Sequence, residues 1–349
     1  MSLFKKMKKI RVAINGAGRI GRAFFKIARL RPEIEVVAMN DLGDIANIAY
    51  LLKYDTVYGR SDFEVKVRPD NKALVIDGKE ILFLSEKEPA NLPWGKLGVD
   101  VVVESTGLFT SFEKSKVHIT AGAKKVVITA PVKDAPADET QATVLMGIND
   151  SALKKAVISS NASCTTNAGS PLMQILHETI GIEKALLNTT HGYTASQAIV
   201  DGPTRKGDFK EGRAAAQNIV PTSTGAAIAV TKAIPALDGK FDGISMRVPV
   251  PAGSIADVTF ISKRDTSVEE VNLILKKASK EKRWEGIFSI TEDPIVSSDI
   301  IGSKYGSIAD LGLTRVVDGN LVKVCAWYDN EMGYTYTLVA HVIKTGGSI

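Results

Sequence analysis

The chain reads as an α/β protein in two parts: an N-terminal doubly wound parallel sheet, then an α+β domain with a largely antiparallel sheet. Three observations predict this. A glycine-rich turn sits between a short Val/Ile-rich run and an amphipathic run, at residues 10–31. Strand-like and helix-like patterns then alternate, the signature of a sheet wound with helices on both faces. Near Ser160 the character changes, and long alternating runs dominate the rest. At 349 residues the chain is too long for one typical domain, and 44% hydrophobic content supplies material for more than one core.

Residues 10–15 read as a buried strand, 20–31 as an amphipathic helix and 35–39 as a second strand. Residues 63–67, 73–76 and 81–84 read as a small antiparallel insertion. Residues 100–104 and 125–129 are Val/Ile-rich runs of the kind buried in parallel sheets. A helix is expected from Cys164 to His177, with Pro171 tolerable only in its first turns. A strand follows from Ala185 to His191, then a loop over 201–212 rich in Gly, Pro, Lys and Asp. Strands are expected at 243–250, 256–262 and 321–328, and helices at 267–280 and 330–344.

The formal charge of +5 comes from 44 basic and 39 acidic residues, too scattered for a nucleic-acid footprint. Lys5, Lys6, Lys8 and Lys9 make the start basic, but no apolar signal-peptide core follows them. No apolar stretch approaches the ~18 residues that would suggest a membrane helix, so a cytoplasmic protein is expected. Two cysteines, Cys164 and Cys325, are too few for a disulfide scaffold.

The turn Gly16-Ala17-Gly18-Arg19-Ile20-Gly21 is a G-x-G-x-x-G placed between strand and helix. Its first glycine permits the tight turn, its second lets a pyrophosphate approach the backbone, and its third lets helix and strand pack closely. The phosphate would sit at the helix N-terminus, where free N–H groups favour anions. A glycine-rich turn alone is often only a turn. Here Asp41 ends the second strand, where an acid binds a ribose 2′-hydroxyl. That carboxylate would repel the 2′-phosphate of NADP, and no cation follows in Leu42-Gly43, so NAD is expected.

Cys164 lies in Ser159-Ser160-Asn161-Ala162-Ser163-Cys164-Thr165-Thr166-Asn167, a polar segment feeding a helix. A thiol at a helix N-terminus has a lowered pKa, although a free cysteine is commonly a small buried hydrophobe. Cys325 belongs to an alternating strand and reads as structural. Among 4 histidines, His191 ends a strand in a polar context and is the best candidate base. His118 and His341 sit in apolar runs, and His177 belongs to the helix after Cys164. Arg247 interrupts an apolar strand. An arginine there is usually outward-facing or paired; it is equally readable as an inward cation for phosphate, helped by Thr222-Ser223-Thr224-Gly225 at a helix start.

Taken together, these segments resemble the phosphorylating glyceraldehyde-3-phosphate dehydrogenase family. The resemblance is carried by Ile14-Asn15-Gly16-Ala17-Gly18-Arg19-Ile20-Gly21-Arg22, Asn40-Asp41, Glu104-Ser105-Thr106-Gly107, Ala162-Ser163-Cys164-Thr165-Thr166-Asn167 and His191-Gly192-Tyr193-Thr194. It continues through Thr224-Gly225-Ala226-Ala227, Met246-Arg247-Val248-Pro249 and Trp327-Tyr328-Asp329-Asn330-Glu331, in the family's order over nearly the whole chain. It implies a Rossmann domain over 1–163, a catalytic domain over 164–329, and a last helix, 330–349, packing back on the first. Cys164 would be the nucleophile and His191 its base, oxidising D-glyceraldehyde 3-phosphate through a thioester to 1,3-bisphosphoglycerate.

By the same resemblance, NAD would meet Asn15, Gly16, Gly18, Arg19 and Ile20 in the turn, then Asp41, Ser105, Thr106, Gly107 and Thr129. Asn330 would hold its carboxamide, with Tyr334 following. Thr194 and Arg247 would take the substrate's phosphate, while Ser163, Thr165, Thr224 and Gly225 would line a site for inorganic phosphate. No metal is expected. The 201–212 loop would pack at subunit interfaces of a homotetramer. Departures from the family pattern are Ala17, often Phe; Ala168, often Cys; and Ile228, often Lys beside the phosphate site. Rival readings are a sister enzyme acting on erythrose 4-phosphate and a non-catalytic nucleotide or RNA binder, which would not need Cys164, His191 or Arg247.

Overall fold

A computed structural model describes residues 8–204 and 208–349. Lys5 and Lys6 of the basic start, and Arg205, Lys206 and Gly207 of the 201–212 loop, lie outside the described residues. The chain divides into two compact units. The first runs through Val144 and adds Asp150–Asn161 and Leu338–Ile349; the second holds Leu145–Asn149 and Ala162–Thr337.

In the first unit the elements are β1 (Ile10–Asn15), α1 (Arg19–Ala28), β2 (Ile34–Asn40), α2 (Ile45–Lys53), β3 (Tyr54–Asp55), β4 (Gly59–Arg60), β5 (Val65–Val67), β6 (Ala73–Ile76), β7 (Lys79–Leu84), β8 (Val101–Glu104), α3 (Phe112–Thr120), β9 (Lys125–Ile128), β10 (Gln141–Thr143) and β11 (Ile158–Ser160). A 9-stranded sheet runs β10-β11-β9-β8-β1-β2-β7-β6-β5. β1 lies parallel to both β2 and β8, so its C-terminal end is flanked by the ends of two strands, where open α/β sheets bind ligands. The triplet Val101, Val102 and Val103 is fully buried, as strands covered on both faces require. Trp94, Val102, Phe112 and Val126 pack into one cluster on the sheet.

The β5–β7 segment is antiparallel within itself as expected, and in addition β7 pairs parallel with β2, so the segment joins the main sheet. The helix expected to reach Arg31 stops at Ala28, where the chain turns into β2.

The second unit contains α4 (Cys164–Thr179), β12 (Ile182–Gly192), β13 (Val220–Ser223), α5 (Ala226–Ala233), β14 (Phe241–Val248), β15 (Ser254–Ser262), α6 (Val268–Ala278), β16 (Phe288–Thr291), β17 (Ser307–Val317), β18 (Leu321–Tyr328) and α7 (Met332–Gly346), whose residues from Leu338 onward belong to the first unit. Its 7-stranded sheet runs β13-β14-β12-β15-β18-β17-β16. β12–β15, β15–β18, β17–β18 and β13–β14 are antiparallel; β12–β14 and β16–β17 are parallel. Alternation along β12 buries Ala185, Leu187, Thr189 and His191 and leaves Leu186 exposed on the other face.

Pro171 lies in the interior of α4, which continues to Thr179, so its expected confinement to the first turns does not hold. The cost of the missing N–H is met by burial: Ala168, Leu172, Met173 and Leu176 are at most 1% exposed.

Candidate active site

In the first unit the turn from β1 to α1 gives each glycine a separate task. Gly16 has φ +100°, and a Cβ there would lie 2.7 Å from the Ser105 carbonyl carbon and the Thr106 nitrogen. A Cβ on Gly21 would lie 1.9 Å from the Gly16 carbonyl oxygen, so only glycine lets α1 approach the turn. Gly18, the N-cap of α1, is the opposite case: nothing lies within 4 Å of the Cβ it lacks. That open approach to the first N–H groups of α1 is the cradle a pyrophosphate needs.

Asp41 closes the mouth. Its Oδ2 accepts from the Ala17 N–H at 2.6 Å and its Oδ1 from the Gly43 N–H at 2.7 Å. A hollow of about 260 Å³ is lined by Asn15, Gly16, Gly18, Asp41, Ser105 and Thr106 among others. The Ser105 hydroxyl donates back to the Gly16 carbonyl at 2.7 Å, fastening the end of β8 to the turn. These residues fit a dinucleotide. Other residues expected here stand apart from the hollow's wall. Arg19 donates to Asp55 at 2.8 Å and lies over the Tyr58 ring. Ile20 is partly exposed on α1, Gly107 turns with φ +72°, and Thr129, just past β9, donates its N–H to the Glu104 carbonyl.

In the second unit Cys164 opens α4. Ser163 is the N-cap, its hydroxyl accepting from the Thr166 N–H at 3.0 Å. Ala162 just before it is buried with φ +53°, a left-handed conformation unusual for alanine. The Cys164 sulfur lies 3.3 Å from His191 Nε2. His191 ends β12 directly opposite Arg247 in the parallel β14, so sheet register brings base and cation together.

His191 Nδ1 has two neighbours, the Gly192 carbonyl at 2.6 Å and Arg247 Nη1 at 2.5 Å. The carbonyl only accepts and the guanidinium only donates, so a neutral ring satisfies one of them at a time. With its proton on Nδ1, facing Gly192, Nε2 presents a lone pair to the thiol, the arrangement a base requires. Burial, reinforced by the Arg247 charge, lowers the His191 pKa to about 3. Burial pushes the Cys164 thiol up, against the opposing pull of Arg247 and hydrogen bonds from Thr165. This corrects the expectation of a lowered thiol pKa: desolvation outweighs the helix terminus. Both shifts lean towards the uncharged pair.

Arg247 turns towards His191, its Nη1 also 3.4 Å from the Gly192 carbonyl, and its Nε is buried without a hydrogen-bond partner. Thr165 bonds the Tyr328 hydroxyl at 2.8 Å, and that hydroxyl bonds Thr189 at 2.7 Å. The Tyr328 ring also meets His191 edge-on, with centroids 5.8 Å apart. Thr224 accepts from the Ala226 N–H and Gly225 caps α5, so these two line a second helix N-terminus. Thr194 lies beyond β12, its hydroxyl 3.1 Å from that of Ser196. Among the described residues no hydrogen bond joins Thr194 or Thr224 to Arg247. Asn330 Oδ1 accepts from the Gly253 N–H and the Ser254 hydroxyl, leaving its amide N–H groups to offer. Tyr334 donates to the Ala162 carbonyl at 3.1 Å, bracing the turn before Cys164.

Sequence reasoning missed Tyr328 as a site residue, and Ser254, which links the Gly192 N–H to Asn330. Their only signal was a polar residue on an otherwise apolar strand. Ile228, one of the departures from the family pattern, is 57% exposed and lines an outer groove with Leu186, Phe241 and Leu321.

The glyceraldehyde 3-phosphate dehydrogenase NAD binding domain matches residues 10–112, and the C-terminal domain of the same family matches residues 163–330. The chain is 48% identical to a glyceraldehyde-3-phosphate dehydrogenase of Streptomyces coelicolor, over 97% of this chain and 99% of the relative. It is 48% identical to that of Geobacillus stearothermophilus, over 95% and 96% of the two chains. It is 49% identical to that of Borreliella burgdorferi, over 95% and 98%. With both domains matched in order and nearly every residue aligned, the chain belongs to the glyceraldehyde-3-phosphate dehydrogenase family.

Proposed function

We propose that the chain oxidises D-glyceraldehyde 3-phosphate with NAD and inorganic phosphate, reversibly, to 1,3-bisphosphoglycerate. The observation that carries the chemistry is the 3.3 Å approach of the Cys164 sulfur to His191 Nε2 at the start of α4. The sulfur adds to the aldehyde carbon while its proton moves to Nε2, and the new oxyanion falls to the first N–H groups of α4. NAD, when bound, supplies the acceptor for the hydride whose loss turns the hemithioacetal into a thioester. A phosphate oxygen then attacks the acyl carbon, the C–S bond breaks, and the thiolate leaves. Water in place of phosphate would waste the oxidation energy, so phosphate must be held. Ser163, Thr165, Thr224 and Gly225, at the N-termini of two helices, are suited to it. Arg247, whose Nε lacks a partner, is suited to the substrate's own phosphate with Thr194.

Asp41 favours NAD over NADP for the reason given. The names of the relatives favour the three-carbon aldehyde over erythrose 4-phosphate. A homotetramer is supported by apolar exposure in the second unit: Ile199 is 84% exposed, Phe209 86% and Leu186 67%. Among the described residues no helix is long and apolar enough to cross a membrane, and a cytoplasmic location fits the proposed chemistry.

NADH absorbance on mixing enzyme, NAD and glyceraldehyde 3-phosphate, with and without inorganic phosphate, tests the reading. A sustained phosphate-dependent rise that Cys164→Ser abolishes is expected. A rise that survives the substitution would sink the thioester route.

A further inference from the structure

Beneath the wall of the hollow in the first unit lies a buried polar chain. Trp94 and His118 are 0% exposed and Glu104 is 2% exposed. The Trp94 indole N–H donates to His118 Nδ1 at 3.2 Å. An indole nitrogen can only donate, so Nδ1 carries the lone pair and the ring proton sits on Nε2. His118 Nε2 therefore donates to Glu104 Oε2 at 2.9 Å.

Glu104 spends its remaining capacity on the hollow. Asn15 Nδ2 donates to Oε2 at 2.6 Å, while the Thr106 N–H, at 2.8 Å, and its hydroxyl, at 2.5 Å, donate to Oε1. Every partner is a donor, which suits a carboxylate accepting on both oxygens. Asn40 Nδ2 in turn donates to Asn15 Oδ1 at 2.8 Å, which sets the Asn15 amide the right way round. Asn15 and Thr106 both line the hollow, whereas His118 and Trp94 do not touch it.

We propose that His118, oriented by Trp94, is a positioning residue of the cofactor pocket: it holds the Glu104 carboxylate, which holds Asn15 and Thr106 in the wall. The proposal rests on the reading that this hollow takes NAD. Without the Nε2–H donor one carboxylate oxygen keeps a single partner, the carboxylate is free to turn, and Asn15 and Thr106 must be ordered again whenever the cofactor binds.

The experiment compares wild type, His118→Leu and His118→Gln. The glutamine variant retains an amide N–H for Glu104. NAD dissociation constants are measured by fluorescence titration of the free enzyme. For His118→Leu about a tenfold rise is expected, with the loss falling on KM for NAD more than on kcat. His118→Gln should recover most of it. The rate of Cys164 alkylation without NAD reports on the second unit and should be retained. An unchanged NAD constant in His118→Leu overturns the proposal, as does a parallel loss of alkylation with no rescue by glutamine, which marks a merely structural role. If the variants do not fold, ¹⁵N NMR of wild-type imidazoles decides: His118 must be a neutral Nε2–H tautomer, and the other tautomer overturns the relay. A wild type that does not bind NAD removes the cofactor reading itself, an outcome visible before any variant is made.

Discussion

Burial acts on the thiol of Cys164 and the imidazole of His191 with opposite signs, raising one pKa and lowering the other, and both effects favour the uncharged pair. Arg247 is the lever between them, since its charge disfavours an imidazolium and favours a thiolate. Arg247→Leu removes that charge, so the His191 pKa should climb from about 3 towards its ordinary value, which ¹H–¹⁵N titration of the ring can follow. The same variant should raise KM for the aldehyde phosphate by tenfold or more, the loss of a charge-assisted contact being worth roughly 1.5–3 kcal/mol. A His191 pKa that stays put would contradict the assigned role of the guanidinium. Cys164, His191, Asp41 and Arg247 were legible in the sequence because each is a chemically distinctive residue in a telling local context. The upward push of burial on the thiol was not, because desolvation depends on residues far away in the chain. Tyr328 was hidden likewise: its partner Thr189 is 139 residues distant. Glu104 and Asn15 meet across 89 residues, and His118 looked merely apolar by its neighbours.

At the scale of elements, the β1–α1 unit makes a prediction that separates folding from binding. Gly18 has extended backbone, φ −66° and ψ −165°, that alanine also adopts, and free space where a Cβ would go. Gly18→Ala should leave thermal stability unchanged or raise it by up to ~1 kcal/mol, yet weaken NAD binding by filling the cradle. Gly21→Ala should lower stability, because its Cβ would strike the Gly16 carbonyl, which is backbone and cannot step aside. Thermal melts paired with NAD titrations check both, and equal losses of stability in the two variants would refute the division of labour. The glycine spacing made this unit readable, and β18 was read from Leu321 to Tyr328 on its alternation alone. α2 and α3 do not stand out in the sequence although Asp44 and Ser111 cap them: α2 is apolar on most sides and α3 has few apolar residues, so neither shows a clean stripe. β10 and β11 escaped for a related reason: each has only 3 residues, several of them polar, and owes its strand conformation to the neighbouring strand.

For the whole molecule, acid should act through buried histidines before it acts through carboxylates. His341, held by Ser159 and Asn161 in the first unit, is pushed by burial to about 3, as His191 is in the second. Unfolded, each binds a proton near 6.5; folded, neither does until about 3. Their stabilisation is therefore full above pH 6.5 and lost progressively as pH falls towards 3. Urea midpoints measured across that range should fall steadily, and His341→Asn should flatten the slope; an unchanged slope would show that His341 does not titrate there. Assembly obeys the other large force. The uncovered face of the 7-stranded sheet carries Leu186, Ile244, Leu321 and Val317, each more than 40% exposed, and Asn188 Oδ1 is buried there without a partner. Each large aliphatic side chain left in water forgoes roughly 1.5–3 kcal/mol, so covering this face with a second copy would be favourable. Leu186→Asp combined with Ile244→Asp places carboxylates on the exposed side of β12 and β14, leaving the buried faces of both strands untouched. Sedimentation velocity should show wild type as an oligomer and the double variant as smaller species with its far-UV circular dichroism intact. A wild type sedimenting as a single chain at micromolar concentration would mean that the apolar face serves something other than self-association.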